Sequence, residues 1–397
     1  MSPTIHPVVL AAGQGTRMQS DHPKVLHRCF GESLLTHVLR SLDRAGMSSP
    51  FVVLGEGRDE VRSSIEQDFR EVVQDRQLGT GHAVQQVIES ADLDPDAGLL
   101  VTCGDIPGIR PETFDQLVQA HQESEADLTL MTTRLDDPTG YGRVKVSEPG
   151  DRVLEIVEET DASPKETAIK RVNTGVMIGR YGMFDSFLPQ LETDNEQGEL
   201  YLTDVVGLLN ENDRRVDYYE VEDPWQVSGL NTRRDLVEFE REGYRRRANE
   251  LLEKGVTVRD PSSVRIGPWV EVQRDVDLEG SVTVHGESTL GEDVTVRGDT
   301  RIVDSEVGTG TTIEKSVVKS SRIGSDVSVG PYTHVRPDCD VGDGVRLGNF
   351  TELKKTQIAT RSKVPHLSYV GNAEIGSDVN IGAGTIFCNY DGVEKSQ

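Results

Sequence analysis

The chain has 397 residues, too many for one compact core, so about two domains of roughly 100 to 200 residues are expected. Its 68 acidic against 42 basic residues give a net charge of −26, which opposes binding to nucleic acid or to an anionic membrane surface. No apolar run approaches the roughly 18 residues of a membrane helix, and residues 1–7 lack the basic start and apolar stretch of a signal peptide, so a cytoplasmic protein is expected.

Of the basic residues, 31 are Arg and 11 are Lys, so the acidic excess goes with depletion of Lys, the pattern of a salt-adapted surface. Cys29, Cys103, Cys339 and Cys388 show no CxxC or Cys/His spacing and read as reduced thiols.

To about residue 230, short apolar runs alternate with longer amphipathic stretches: residues 7–12, then 34–42, 51–54 and 99–102. This is the α/β pattern of a mainly parallel sheet. The first strand runs into Leu10-Ala11-Ala12-Gly13-Gln14-Gly15-Thr16-Arg17-Met18, with Pro23-Lys24 close behind. Small residues let backbone N–H groups approach phosphate oxygens, and Arg17 and Lys24 bring positive charge to the same mouth. No Gly-Lys-Ser/Thr closes a P-loop, and Met18 stands where a dinucleotide fingerprint needs its third glycine. A later strand ends at Gly104-Asp105, where a carboxylate beyond the strand faces the same crevice. That position suits a Mg²⁺ carrying phosphates; it equally suits a cap before Pro107.

Residues 232–254 read as a long connecting helix with Leu236, Phe239, Leu251 and Leu252 on one side, ending near Gly255. The period then changes. Ile266, Val272, Leu278, Val284, Leu290, Val296 and Ile302 fall six residues apart, and Ile323, Val329, Val335, Val341, Leu347 and Leu353 repeat the run. One inward apolar residue per six closes a triangular coil every 18 residues and stacks coils into a parallel β-helix, about seven of them over residues 266–387.

Read together, LAAGQGTRM with PKVLH, Gln74 with Leu78-Gly79-Thr80-Gly81-His82-Ala83, Gly104-Asp105, the DPTGYGR run at 137–143, Ile156-Val157-Glu158, Val172-Asn173-Thr174-Gly175, QGE at 197–199 with YLTD at 201–204, and Gly229-Leu230-Asn231 resemble one family in order and spacing. The hexapeptide coils with PHLSYVG, NIGAGT and CNYDG resemble its second half. The family is the bifunctional UDP-N-acetylglucosamine pyrophosphorylase and glucosamine-1-phosphate N-acetyltransferase, a cytoplasmic enzyme of cell-wall peptidoglycan precursor synthesis. The resemblance implies a Rossmann-like nucleotidyltransferase domain over 1–231, a linker helix over 232–255, and a left-handed parallel β-helix of hexapeptide repeats over 256–397.

It further implies Mg²⁺-dependent uridylyl transfer from UTP to N-acetylglucosamine 1-phosphate with release of pyrophosphate. Leu10, Ala11, Ala12, Gly13, Lys24, Gln74, Gly79 and Thr80 would hold the nucleotide; Gly142, Glu158, Asn173 and Asn231 would hold the sugar phosphate. Asp105 and Asn231 would bind Mg²⁺, and Arg17 and Lys24 would neutralise charge growing on the phosphates. In the coils His366 would be the general base taking a proton from the amine of glucosamine 1-phosphate as it attacks acetyl-CoA. Arg336, Lys354, Tyr369, Asn380 and Lys395 would hold that sugar, and Ala383, Asn389 and Tyr390 would touch acetyl-CoA. Assembly as a homotrimer through the coils is also implied.

Cys103 and Thr160 stand where the family pattern has Tyr and Lys, and family members carry further coils after CNYDG. The second domain is therefore expected to be incomplete at its C-terminus and weak in acetyl transfer. The alternative reading is a nucleotidyltransferase for another sugar 1-phosphate, with the coils serving as a trimerisation scaffold.

Overall fold

The computed structural model describes residues 4–148, 150, 152–389 and 393. Contacts group them into two units, 1–236 and 237–397. In the first, strands β1 (Ile5–Leu10), β2 (Phe51–Leu54), β3 (Arg70–Val73), β4 (Gly98–Cys103), β5 (Leu128–Arg134), β6 (Arg143–Val146), β7 (Val153–Val157), β8 (Arg171–Arg180) and β9 (Val216–Val221) form one sheet. Its order is β9-β5-β8-β4-β1-β2-β3, with β6 pairing β8 and β7. The pairs β1–β2, β1–β4, β2–β3 and β9–β5 are parallel, whereas β8 runs antiparallel between β4 and β5.

The apolar runs are continuous because the sheet is covered on both faces. Val8, Val53, Leu99 and Val101 pack with Ala83, Val84 and Val87 on one side. Their chain neighbours Val9, Val52 and Leu100 pack with Leu35, Val38, Leu39 and Leu42 on the other. Burying each such side chain is worth about 1.5–3 kcal/mol. Helix α1 (Leu34–Arg44) supplies that second cover, and the Ser33 hydroxyl caps it by accepting from the Thr36 N–H at 3.1 Å. Helix α2 (Thr80–Ser90) supplies the first cover.

Register sets the crevice. Leu10 of β1 lies beside Cys103 of β4, so the glycine loop and Asp105 leave neighbouring strand ends on the same side. The Gly104 N–H donates to the Leu10 carbonyl at 2.9 Å, and the Leu230 N–H to the Asp105 carbonyl at 3.1 Å, which brings Asn231 to that edge.

The connecting helix is α3 (Arg233–Glu253), and its buried stripe is Phe239, Gly243, Tyr244, Ala248 and Leu251. Leu252, expected on that stripe, is 43% exposed, because one residue beyond Leu251 turns it about 100° around the axis.

In the second unit the strands are two to nine residues long and stack in parallel along the faces of a triangular coil. One face stacks Val272, Leu290, Val307, Ile323, Val341, Ile358 and Ile375, all in the same apolar core. The break in the sequence period has a structural cause. Leu290 pairs with Val307 and Ile302 with Val318, steps of 17 and 16 residues, so these coils have faces of five residues in place of six. Stacking is kept while the period slips.

The interior also holds a polar spine. Ser288 Oγ accepts from the Ser305 N–H at 3.1 Å, Ser305 Oγ from the Ser321 N–H at 3.3 Å, and Ser321 Oγ from the Cys339 N–H at 3.2 Å. Each hydroxyl satisfies a buried corner amide of the following coil, which is why buried Ser and Thr recur among the aliphatics.

Candidate functional site

The first unit opens a cleft of about 1080 Å³ at the ends of β1 and β3. Leu10, Ala12, Gly13, Arg17 and Lys24 line it from the glycine loop; Gln74, Gly79 and Thr80 line a second wall, and Glu158 and Asn231 a third. The backbone N–H groups of Gly13, Gln14, Gly15 and Thr16 have no partner among the described residues, leaving a row of free donors. Gly15 is needed there: its φ is +62°, and a Cβ would stand 2.6 Å from Lys24 Cβ.

Lys24 is the hub. Its ammonium contacts the Asp105 carboxylate and donates to Asn231 Oδ1 at 2.7 Å, while Arg17 Nη2 donates to the same Oδ1 at 2.8 Å. Asn231 is itself held by Asp235, whose Oδ2 accepts from the Asn231 and Thr232 N–H groups at 3.0 and 2.8 Å. Against the raising effect of burial, the Thr232 side chain, those two N–H groups and the Arg17 charge hold the Asp235 carboxyl below the usual range. Two hard oxygens, from Asp105 and Asn231, thus already share one cation. That donor set fits Mg²⁺, which binds through one or two protein oxygens and takes the rest from phosphates and water. No cluster of three His, Cys, Asp or Glu capable of a metal cage occurs among the described residues.

Ala11, Asp105, Gly142 and Asn173 do not line the cleft directly. Ala11 anchors the loop, its N–H donating to the Val53 carbonyl at 3.0 Å. Gly142 backs Glu158, for a Cβ there would be 3.1 Å from Oε2, and its carbonyl accepts from the Asn173 N–H at 2.9 Å. Burial raises the Glu158 carboxyl, the Thr203 hydroxyl donating to Oε1 at 2.9 Å opposes, and Asp161 adds. Neighbouring Asp204 is pushed up to about 6 by burial and then by Glu158, Asp161 and Glu155. The wall of the cleft that carries Glu158 and Glu159 is accordingly acidic, and Thr160 beside them adds no positive charge. Burial drives the Cys103 thiol up to about 12, with Asp105 adding and Lys24 opposing, so it stays protonated beside Gly175.

Three contributors carry no assignment from sequence. Gln77 Nε2 donates to the Ala12 carbonyl and ties the loop to the far wall. His82 Nδ1 lies 3.0 Å from Gln74 Nε2. Arg143, 1% exposed, reaches the Tyr141 carbonyl and, at 2.6 Å, the Glu159 carboxylate, which fixes the segment that presents Glu158. LGTGHA and DPTGYGR flagged the stretches that hold His82 and Arg143, but only contacts across the fold reveal the roles.

In the coil unit, His366 is exposed on the long strand Lys363–Gly371, its Nδ1 2.9 Å from Asn349 Oδ1 one coil below. Arg336 pairs with Glu352 at 3.0 Å, and Glu352 stacks beneath Tyr369. Lys354 stacks beneath Gly371, whose carbonyl accepts from Asn389 Nδ2 at 2.5 Å. Arg336, Lys354, Tyr369 and Asn389 are thereby gathered at one edge. Asn380 bridges to Lys363 at the opposite end of that strand, and Ala383 follows it in an exposed turn. Tyr390 and Lys395 lie outside the described residues. Beside His366, the exposed rings of Tyr332 and Phe350 stack 5.4 Å apart, with Leu367 exposed in the following coil.

Comparison with known proteins gives matching results. Residues 7–161 match the MobA-like NTP transferase domain, and residues 320–355 match the bacterial transferase hexapeptide of six repeats. A bifunctional protein GlmU of Synechococcus sp. (strain CC9311) is 42% identical, over 98% of this chain and 84% of that protein. Those of Methylococcus capsulatus and Brevibacillus brevis are each 41% identical over the same shares. Among solved structures, an apo UDP-glucose pyrophosphorylase covers 62% of this chain and 100% of its own, at 16% identity and a TM-score of 0.50, a likeness of fold.

Proposed function

The chain belongs to the bifunctional GlmU family, and from that premise we propose a function for each of its units. It is an enzyme of UDP-N-acetylglucosamine synthesis, a uridylyltransferase joined to a glucosamine-1-phosphate N-acetyltransferase of hexapeptide coils. The reading in which another sugar 1-phosphate is used and the coils are only a scaffold is not favoured by these relatives.

The observation that carries the first activity is the Lys24, Asp105 and Asn231 cluster at the foot of a loop with free N–H groups. An oxygen of N-acetylglucosamine 1-phosphate attacks the α-phosphorus of UTP in line; the new P–O bond forms as the α–β bridge breaks, and pyrophosphate leaves with the electron pair. No protein nucleophile takes part. The loop N–H groups and the Lys24 and Arg17 cations hold the phosphates and balance their growing negative charge. Mg²⁺ held by Asp105 and Asn231 supplies further neutralisation when bound. Gln74, Gly79 and Thr80 hold the nucleoside side, and Glu158, Gly142 and Asn173 the sugar side.

For the second activity, His366 takes the amine proton of glucosamine 1-phosphate as it attacks the thioester carbonyl of acetyl-CoA, and Asn349 orients the ring. Arg336, Lys354, Tyr369 and Asn380 receive the sugar phosphate, and Ala383 and Asn389 the acetyl donor. The same reading has the coils assemble as a homotrimer, which would cover the exposed ring stack. Among the described residues no helix is long and apolar enough to cross a membrane.

The test is a substrate panel: UTP against dTTP, and N-acetylglucosamine 1-phosphate against glucose 1-phosphate, with and without Mg²⁺. Preference for UTP with the acetylated sugar, abolished by chelation, supports the reading; equal use of glucose 1-phosphate refutes it. Loss of acetyl transfer in His366→Ala with uridylyl transfer intact tests the second site.

A further inference from the structure

Gln74 is buried directly beyond β3, 4% exposed, and its amide has one allowed orientation. Nε2 lies 3.0 Å from the Gly79 carbonyl oxygen and 3.0 Å from His82 Nδ1. A carbonyl oxygen only accepts, so the atom facing it must be the donor nitrogen. The second hydrogen of that nitrogen then points at His82, whose Nδ1 accepts and whose ring proton sits on Nε2. Flipping the amide would set its oxygen against the Gly79 carbonyl oxygen, two acceptors facing each other. Gly79 is itself fixed, at φ +112° with a would-be Cβ only 2.5 Å from the Leu200 carbonyl oxygen. Gln74 Oε1 has no partner among the described residues and belongs to a residue that lines the cleft. A lone acceptor of fixed orientation calls for a ligand N–H.

We propose that His82 is a positioning residue for base recognition, holding Gln74 so that its oxygen selects a pyrimidine with a ring N–H. Uracil and thymine offer a hydrogen at ring position 3; cytosine offers a lone pair there, which would face the Oε1 lone pairs. Sites built around such a polar contact reject mismatched partners strongly, because the buried group is left unpaired or opposed. The proposal rests on the uridylyl-transfer reading and assigns His82 a part in its specificity. His82 stands in the first turn of α2, so the helix that covers the sheet also carries the group that orients the recognition amide.

The test compares kcat/KM for UTP and CTP, with N-acetylglucosamine 1-phosphate as acceptor, in the wild type and in His82→Phe, His82→Leu and His82→Asn. Phe and Leu cannot accept a hydrogen bond; Asn can return an oxygen near the place of Nδ1. The UTP-to-CTP ratio should fall about tenfold or more in the Phe and Leu variants, since only Gly79 still orients the amide, and Asn should recover most of it. Equal losses for both nucleotides, or an unchanged ratio, would overturn the assignment while leaving uridylyl transfer standing. A wild type that does not prefer UTP would overturn the functional reading and this inference with it.

Discussion

Replacing Asp105 by Asn separates chemistry from folding. The Asp105 side chain is 21% exposed and that of Lys24 13%, so the pair is largely shielded from solvent. Asn keeps the size and one acceptor oxygen, and Lys24 keeps Asn231 Oδ1 at 2.7 Å, so the hydrogen bonds survive and only the charge pairing is lost. For a pair between fully exposed and fully buried, that loss is about 1–2 kcal/mol, which for a unit of this size lowers Tm by roughly 2–8 °C. The chemical cost is larger. On the proposed assignment Asp105 is the anionic ligand of Mg²⁺, and removing it withdraws stabilisation realised in the transition state, roughly 3–4 kcal/mol or about 10²–10³-fold in kcat. Pyrophosphate release under saturating substrates, with Tm measured on the same sample, checks both numbers. A variant within about threefold of wild-type kcat, or one whose activity loss is matched by a collapse in Tm, would refute the role of the cluster.

Other consequences are equally open to measurement. Asp204 is raised to about 6 in the folded chain from an unfolded value near 3.8, so the native state binds the extra proton between those pH values and stability falls as pH rises through that window. Asp204→Asn should therefore raise Tm at pH 8 and change it little at pH 4; a loss of Tm at pH 8 would contradict the burial argument. Ser305→Ala removes the acceptor of the Ser321 N–H inside the coils, and an orphaned buried amide costs about 1–3 kcal/mol, read as a lower Tm of the second unit. An unchanged Tm would show that the hydroxyl spine is dispensable. With a net charge of −26, Tm should rise with KCl toward molar concentrations as self-repulsion is screened, and a flat or falling curve would argue against a salt-adapted surface.

What could be read from the chain alone follows from where each signal is stored. Val8 and Val9 are both buried, on opposite faces, and such doubly covered strands show as short apolar runs without alternation. The six-residue period is legible because one inward aliphatic per face is a local requirement. It fades between Ile302 and Ile323, where faces lose a residue yet stay in register. Ser288, Ser305 and Ser321 look like loop polarity, since their partners lie a coil away. At the cleft, the small residues of the loop and the carboxylate after β4 carry their chemistry in their types and spacing. The clamp of Arg143 on Glu159 and the contact of Gln77 with Ala12 exist only after folding, the latter joining residues 65 apart in the chain. Leu252 shows the limit of helical period: it belongs to the amphipathic run by composition but sits one step around the helix from the covered stripe.

The central claim is that the cleft of the first unit joins UTP to N-acetylglucosamine 1-phosphate. It is tested most directly by following the phosphorus resonances of a mixture of both substrates, Mg²⁺ and the protein. The account predicts that the monoester signal of the sugar phosphate disappears in step with the appearance of a diphosphate diester and free pyrophosphate, in equal amounts. Persistence of the monoester with unchanged UTP, or release of pyrophosphate without the diester, would contradict it.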